Sequence, residues 1–278
     1  NMDINFSINR NEILSLPDGN EIQYGSGPGH MVGLGSTQVL REGYPVGSFF
    51  GWTYDGVYQE GDDFLPGGGF EQIAGGEKFR DIDGIRNDAG ELTGQPDGEL
   101  NSDDRGIIGN PHPDFIWGFN NDFQWKNFDL NLFFQGSQGN DILSYTLMEL
   151  DLLSGINNAT TNALNRWTPA NPSNKYPRAL ASGNLDQGIF SSNIVEDASY
   201  VRLKNITLGY NLSSSFLENI KVSSLRIYVS GTNLVTLTKY SGYDPEANTY
   251  GQNSTLIGVD NGGYPMSKTY LVGLNIGF

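Results

Sequence analysis

The sequence predicts an all-β protein, a section of a transmembrane antiparallel β-barrel with long external loops, one of them partly helical. Three observations carry this. Six segments alternate apolar and polar residues over roughly the 9–11 positions that a tilted spanning strand needs. The connections between them alternate long and short, the rhythm of an outer-membrane barrel with external loops and tight periplasmic turns. The polar faces are built from Asp, Asn, Gln, Ser and Gly, whereas a soluble sandwich would show more Lys, Glu and Arg. Such faces suit a water-filled or plugged lumen.

The first strand is expected over about residues 2–14, with Met2, Ile4, Phe6 and Ile8 on one face and Asp3, Asn5, Ser7 and Asn9 on the other. The second, 114–126, sets Phe115, Trp117, Phe119, Phe123 and Trp125 against Asp114, Gly118, Asn120, Asp122 and Gln124, with Asn121 interrupting the apolar face. The third, 127–137, follows the short turn at Lys126-Asn127, which suits an antiparallel hairpin. In the fourth, 199–212, parity switches between Leu203 and Ile206, and a bulge near Asn205 would account for it. The fifth spans 224–236 and the sixth 267–278. The long connections, 15–112, 138–195 and 237–266, are expected outside the cell, because the last strand then ends in the periplasm. Helix signal is confined to the second of them, in NDILSYTLMELDLLSGI and NNATTNALNRW. Six strands cannot close a barrel, so other strands must complete the sheet.

Composition narrows the function. Of 278 residues 37 are glycine and only 17% are charged, against about a quarter in an average domain. No window approaches the roughly 18 apolar residues of a spanning helix. A net charge of −16 with no basic stripe argues against nucleic acid as a partner. The absence of cysteine excludes disulfides, Cys-based zinc sites and thiol catalysis. No signal peptide is present, and Asn1 lies inside a strand-like run, so the chain is expected to be a piece of something longer.

Several blocks resemble the C-terminal part of SusC/RagA-type TonB-dependent outer-membrane transporters of Bacteroidetes. They are GYPVGSFFGWTYDGVYQ, DDRGIIGNPHPDFIWGFNNDFQWKNFDLNLFFQGSQGNDI, RWTPANPSNKYPR, ASYVRLKNITLGYNL, LRIYVSGTNLVTLTKYSGYDPE and YLVGLNIGF, in order along essentially the whole chain. The resemblance implies a 22-stranded barrel of which these are the last six strands. It also implies a plug and TonB box outside this stretch, a SusD-like surface lipoprotein as partner, TonB as energy source, and import of glycans or peptides. Tyr270, Val272, Leu274, Ile276 and Phe278 match the terminal strand that barrel-assembly machinery recognises in outer-membrane proteins.

The family often carries an EF-hand-like run where this chain has FRDIDGIRNDAGELTGQPDGELNSDDRGIIG. Asp81 and Asp83 fit the first carboxylate positions, and after an insertion Asp97, Glu99 and Asp104 resume the pattern. Two readings stand: a Ca²⁺ site that stiffens an external loop, or a solvated acidic loop. Tyr240, Tyr243, Tyr250 and Tyr264 are candidate contacts for substrate or partner, and Asn120, Asp122, Asp129 and Asn131 for the lumen or plug. Catalysis is not expected. His30 and His112 lack a metal spacing, GSGPG and GLGS lack the G-x-G-x-x-G pattern, and GSQG is no nucleophile elbow. The competing reading is a soluble, calcium-stabilised β-rich adhesin or carbohydrate-binding protein, separable by its independence of detergent.

Overall fold

The computed structural model describes residues 1–27, 35–68, 72–151, 158–179, 190–213, 222–251 and 253–278. Its largest element is a six-stranded antiparallel sheet formed by β1 (Met2–Ser7), β10 (Phe115–Trp125), β11 (Phe128–Gln138), β14 (Tyr200–Asn211), β15 (Ser224–Thr238) and β17 (Thr269–Gly277), paired in that order. The sheet is open, with β1 and β17 at its edges. β1 stops seven residues short of the expected bound, because its partner β10 begins only at Phe115, after Pro111 and Pro113. Prolines cannot donate to a ladder, so residues 8–14 leave the sheet, and Ile13 instead exchanges backbone hydrogen bonds with Gly43 and Tyr44 of the first long loop. β15 runs two residues further than expected, taking Leu237 and Thr238 from the third long loop by pairing with Val201 and Tyr200.

Register aligns the alternation into continuous rows. Phe123, Leu130, Leu208, Val229 and Val272 face one another across five strands, as do Trp125, Phe128, Tyr210, Ile227 and Leu274. The opposite face carries Asp122, Asn131, Thr207 and Ser230 in one row and Asn5, Gly118, Gln135, Arg202 and Thr236 in another. The parity switch in β14 is resolved by a register shift between Leu203 and Asn205, with Asn233 of β15 opposite it at φ 56°. The extra residue returns Val201 and Leu203 to the same face as Ile206 and Leu208.

Aromatic residues mark both ends of the apolar face. Phe6 stacks on Phe115 at 5.1 Å near the long loops, while Trp125, Phe128 and Tyr210 form a ladder near the short turns. From Phe115 to Trp125 is about 33 Å along a strand rising about 3.3 Å per residue. A tilt of roughly 35–45° projects this to about 25 Å, the height of the apolar band in an outer-membrane wall.

The apolar core lies elsewhere, in the long connections. The first holds β2 (Ile22–Tyr24), β3 (Gln38–Leu40), β4 (Ser48–Trp52), β5 (Tyr54–Val57), β6 (Glu77–Phe79), β7 (Gly84–Arg86), β8 (Leu92–Pro96) and β9 (Arg105–Gly109). The second holds β12 (Asp141–Ser144), α1 (Tyr145–Asp151) and β13 (Val195–Asp197), and the third β16 (Val259–Asp260). Phe49 from the first, Leu143, Tyr145, Met148, Phe190 and Ile194 from the second, and Val259 from the third bury together in one cluster. β12 pairs with β13 on one side and, in parallel, with β16 on the other. Gly51 lets the first loop meet the second: an added Cβ would lie 2.3 Å from the Phe190 carbonyl.

The helix expectation needs correcting in part. Ile142 and Leu143 are strand residues, because pairing with Val195, Glu196 and Val259 outweighs local helical preference. Among the described residues Tyr145–Asp151 alone is α-helical, and the second predicted helix is a 3₁₀ turn over Thr161–Asn165. Residues 152–157 of the predicted run lie outside the described residues.

Candidate functional site: the polar face and the loop cap

The four polar-face candidates fall into two clusters. Asn131 Nδ2 donates to Asn120 Oδ1 at 2.8 Å and to Asp122 Oδ1 at 2.7 Å, and Asn120 Nδ2 donates to Asp122 Oδ2 at 3.1 Å. Asp129 pairs with the Arg226 guanidinium through both carboxylate oxygens and accepts from Asn211 Nδ2 at 3.0 Å. These ladders hold neighbouring strands together through polar side chains on the face away from the apolar rows.

Nearer the long loops, the polar face carries a network that the sequence reading missed. Arg202 is only 2% exposed. Its Nε donates to Thr236 Oγ1 at 2.9 Å and one terminal nitrogen to Asp244 Oδ1 at 2.7 Å, while the other pairs with Glu246 Oε2. Tyr200 donates its hydroxyl to Glu246 Oε1 at 2.7 Å, and Gln135 Nε2 donates to the Tyr200 hydroxyl at 3.1 Å. Asp244 Oδ2 also accepts from the Met266 backbone N–H at 3.3 Å. One buried guanidinium thus fastens both ends of the third long loop to the wall. A signal was present: Arg202 and Lys204 share one parity of an otherwise uncharged strand, with Asp-Pro-Glu in the next loop.

Beneath this latch the polar face is hollowed into a cavity of about 500 Å³, lined among others by Asn5, Gln135, Ser137, Tyr200 and Glu246. Its amides, hydroxyls and single carboxylate can hydrogen-bond a polar solute.

The tyrosine candidates separate. Tyr240 is a correction: it is buried, and its hydroxyl donates to Asp260 Oδ2 at 2.5 Å, so no ring face is offered to a ligand. Burial and the Asp260 carboxylate raise its pKa. Tyr250 packs against the loop core, whereas Tyr243 and Tyr264 stand exposed.

The acidic loop also departs from expectation. β7 and β8 form a hairpin that loops out the insertion, so the two halves of the EF-hand-like pattern meet again. Asp81 Oδ2 accepts from Gly98 N at 2.7 Å, Asp83 Oδ1 from Gly94 N at 2.9 Å, and Asp97 Oδ1 from Glu99 N at 2.9 Å. Asp104, fully buried, caps Asn101 N at 2.8 Å and receives Ile82 N at 2.8 Å. The carboxylates serve as acceptors for backbone N–H groups, and among the described residues no three acidic or histidine side chains converge on one point. As placed, Asp81, Asp83, Asp97, Glu99 and Asp104 do not fit a calcium-ligand set. Tyr270, Val272, Leu274 and Ile276 of β17, with Phe278 beyond its end, are all exposed at the sheet edge.

No family model matches the chain. It is 46% identical over 283 residues to TonB-dependent receptor P3 of Formosa agariphila, a match covering 99% of this chain and 26% of that protein. It is 28% identical over 279 residues to TonB-dependent receptor SusC of Bacteroides thetaiotaomicron, covering 99% of this chain and 24% of that protein. The structure of the RagAB peptide transporter superposes with a TM-score of 0.72 at 25% identity, over 99% of this chain and 26% of that one. The chain belongs to the SusC/RagA-type TonB-dependent transporters. It spans about a quarter of the length of the relatives it matches. Transporters of this type are outer-membrane barrels. The six-stranded sheet is a section of such a wall, its apolar rows turned to lipid and its polar rows to the lumen.

Proposed function

We propose that the chain supplies wall and external loops to an importer that takes up glycans or peptides with a SusD-like lipoprotein, powered through TonB. The observation that carries this is the inversion of apolar surface. The strands present apolar rows outward, while three loops on one side of the membrane bury a shared core. Such a sheet needs lipid, which disfavours the soluble adhesin, and such a cap needs no lipid. The relatives are TonB-dependent receptors, and the polar-face cavity offers hydrogen bonds to a polar solute, which supports transport. In this reading Tyr243 and Tyr264 meet the cargo or the lipoprotein lid. Cells from which the receptor gene is deleted should lose uptake of a fluorescent oligosaccharide or oligopeptide, and collapsing the proton-motive force should abolish uptake in the parent strain. Unchanged uptake of both classes after deletion contradicts the proposal.

A further inference from the structure

We propose that Asn261 is a site of covalent self-modification, its amide lost through a cyclic imide, and that the Thr146 hydroxyl governs how fast this happens. Asn261-Gly262 is the only Asn-Gly pair in the sequence. Both residues are exposed, in the third long loop directly after β16. Gly262 has φ +72°, and a Cβ built on it would meet nothing within 4 Å. The space beside its backbone is therefore open, and no side chain of its own hinders ring closure.

The chemistry needs only water. The Gly262 nitrogen gives its proton to hydroxide and attacks Asn261 Cγ, forming a new N–C bond. The Cγ–Nδ2 bond breaks, and ammonia leaves with a proton taken from water. A second water then opens the imide at either carbonyl. One route leaves aspartate; the other leaves isoaspartate, with the main chain running through the former side chain.

The folded loop holds the reacting atoms back. Asn261 N donates to Thr249 Oγ1 at 2.9 Å, Gly262 N to Thr146 Oγ1 at 2.8 Å, and Gly263 N to Asp260 Oδ1 at 2.8 Å. The middle bond occupies the attacking nitrogen. It is also the one of the three that crosses to another loop, reaching the second residue of α1. Asp260 is buried and is anchored by the Tyr240 hydroxyl, so the start of the turn is fixed in the cap. Gly262 depends on one threonine hydroxyl, and breaking that bond frees the nitrogen to reach Cγ.

The product cannot return to this arrangement. Isoaspartate lengthens the main chain by one carbon just before Gly262, which carries its N–H away from Thr146. Either product also sets a new carboxylate next to the buried Asp260, and like charges so close disfavour each other. The third loop thus loses its tie to α1 irreversibly.

The test ages the full-length receptor in detergent in mildly alkaline buffer and follows the tryptic peptide between Lys239 and Lys268 by mass spectrometry. Electron-transfer fragmentation separates isoaspartate from aspartate. Asn261 should convert well ahead of Asn248 and Asn253 in the same peptide, with isoaspartate among its products. Thr146→Val should speed the conversion about fivefold, the ordinary worth of one hydrogen bond. Thr146→Ser, which keeps the hydroxyl, should match the parent. Residues 240–266 should become open to protease in step with conversion, and Asn261→Gln should keep them protected. Conversion of Asn261 no faster than that of Asn253 overturns the proposal, as does an unchanged rate in Thr146→Val. An equal rise at Asn248, Asn253 and Asn261 in Thr146→Val reports general unfolding and counts against the role of Thr146. Protection lost as quickly in Asn261→Gln overturns the loosening of the loop.

Discussion

Wall and cap solve the same problem in opposite directions. In the wall, Ile4 and Val272 are 75% and 74% exposed, and the outward rows touch only one another among the described residues. In the cap, Phe49 of the first loop and Leu143 and Ile194 of the second are completely buried, although Phe49 stands nearly a hundred residues before Leu143 in sequence. The wall is held by strand ladders and depends on lipid to cover its apolar side. The cap is held by side-chain burial shared among three connections. A substitution that harms one region should therefore spare the other, and Arg202 is the place where they meet.

The largest effects are expected at that junction and in the cap core. Arg202→Ala leaves Asp244 and Glu246 without their cation and should cost roughly 3–5 kcal/mol, since one partner of a buried ion pair is removed. In the full-length receptor in outer membranes it should expose residues 240–266 to protease while the barrel stays inserted. Phe49→Ala should cost about 3–5 kcal/mol of cap stability with the same separation, read as a lower thermal transition of the cap alone. If barrel insertion fails in either variant, wall and cap are not independent.

Ile206→Arg comes next, on the lipid-facing side midway between the two aromatic ends, opposite Leu132 and Gly231. A charge at the bilayer midplane should cost about 2–4 kcal/mol, seen as reduced receptor in the outer membrane with the cap pattern unaltered. Phe128→Ala should have the smallest effect among the wall changes, about 0.5–1.5 kcal/mol beyond lost area, because it removes stacking with Trp125 and Tyr210.

A pH series sharpens the contrast from the cap side. Glu77 is buried opposite Val57; its Oε2 has no partner among the described residues, and burial raises its pKa from 4.5 to about 8. Below pH 4.5 both folded and unfolded chains hold the proton, and the contribution is complete. Between 4.5 and about 8 the unfolded chain ionises while the folded one does not, so cap stability should fall as pH rises through that window. Glu77→Gln should flatten the decline and leave the wall unaffected; an equally steep profile in the variant contradicts the assignment.

The wall was more legible in the sequence than the cap, for a physical reason. A spanning strand must alternate over about ten residues because lipid and lumen impose it, and DFIWGFNNDFQW declares that pattern without help from the rest of the chain. Cap strands of two to five residues, such as Gln38–Leu40 and Val259–Asp260, carry too little periodicity to be seen. Their pairing comes from distant loops, and a burial pattern shared by Phe49, Leu143 and Val259 has no local signature. The same non-locality hid Tyr240, which looked like a loop-surface aromatic and is anchored by Asp260 in the β16 segment. The acidic motif was visible, but the hairpin that assigns its carboxylates to backbone N–H groups depends on pairing across the insertion.

The central claim is that alternate residues of one strand meet lipid and lumen. A direct measurement places a fluorophore on single cysteines at Tyr228, Val229 and Ser230 of β15 in the full-length receptor, reconstituted with brominated lipid. Val229 should be strongly quenched and its two neighbours weakly, since Val229 lies in the outward row and Ser230 in the polar one. Equal quenching at all three positions, or quenching at Ser230 above Val229, would contradict the account.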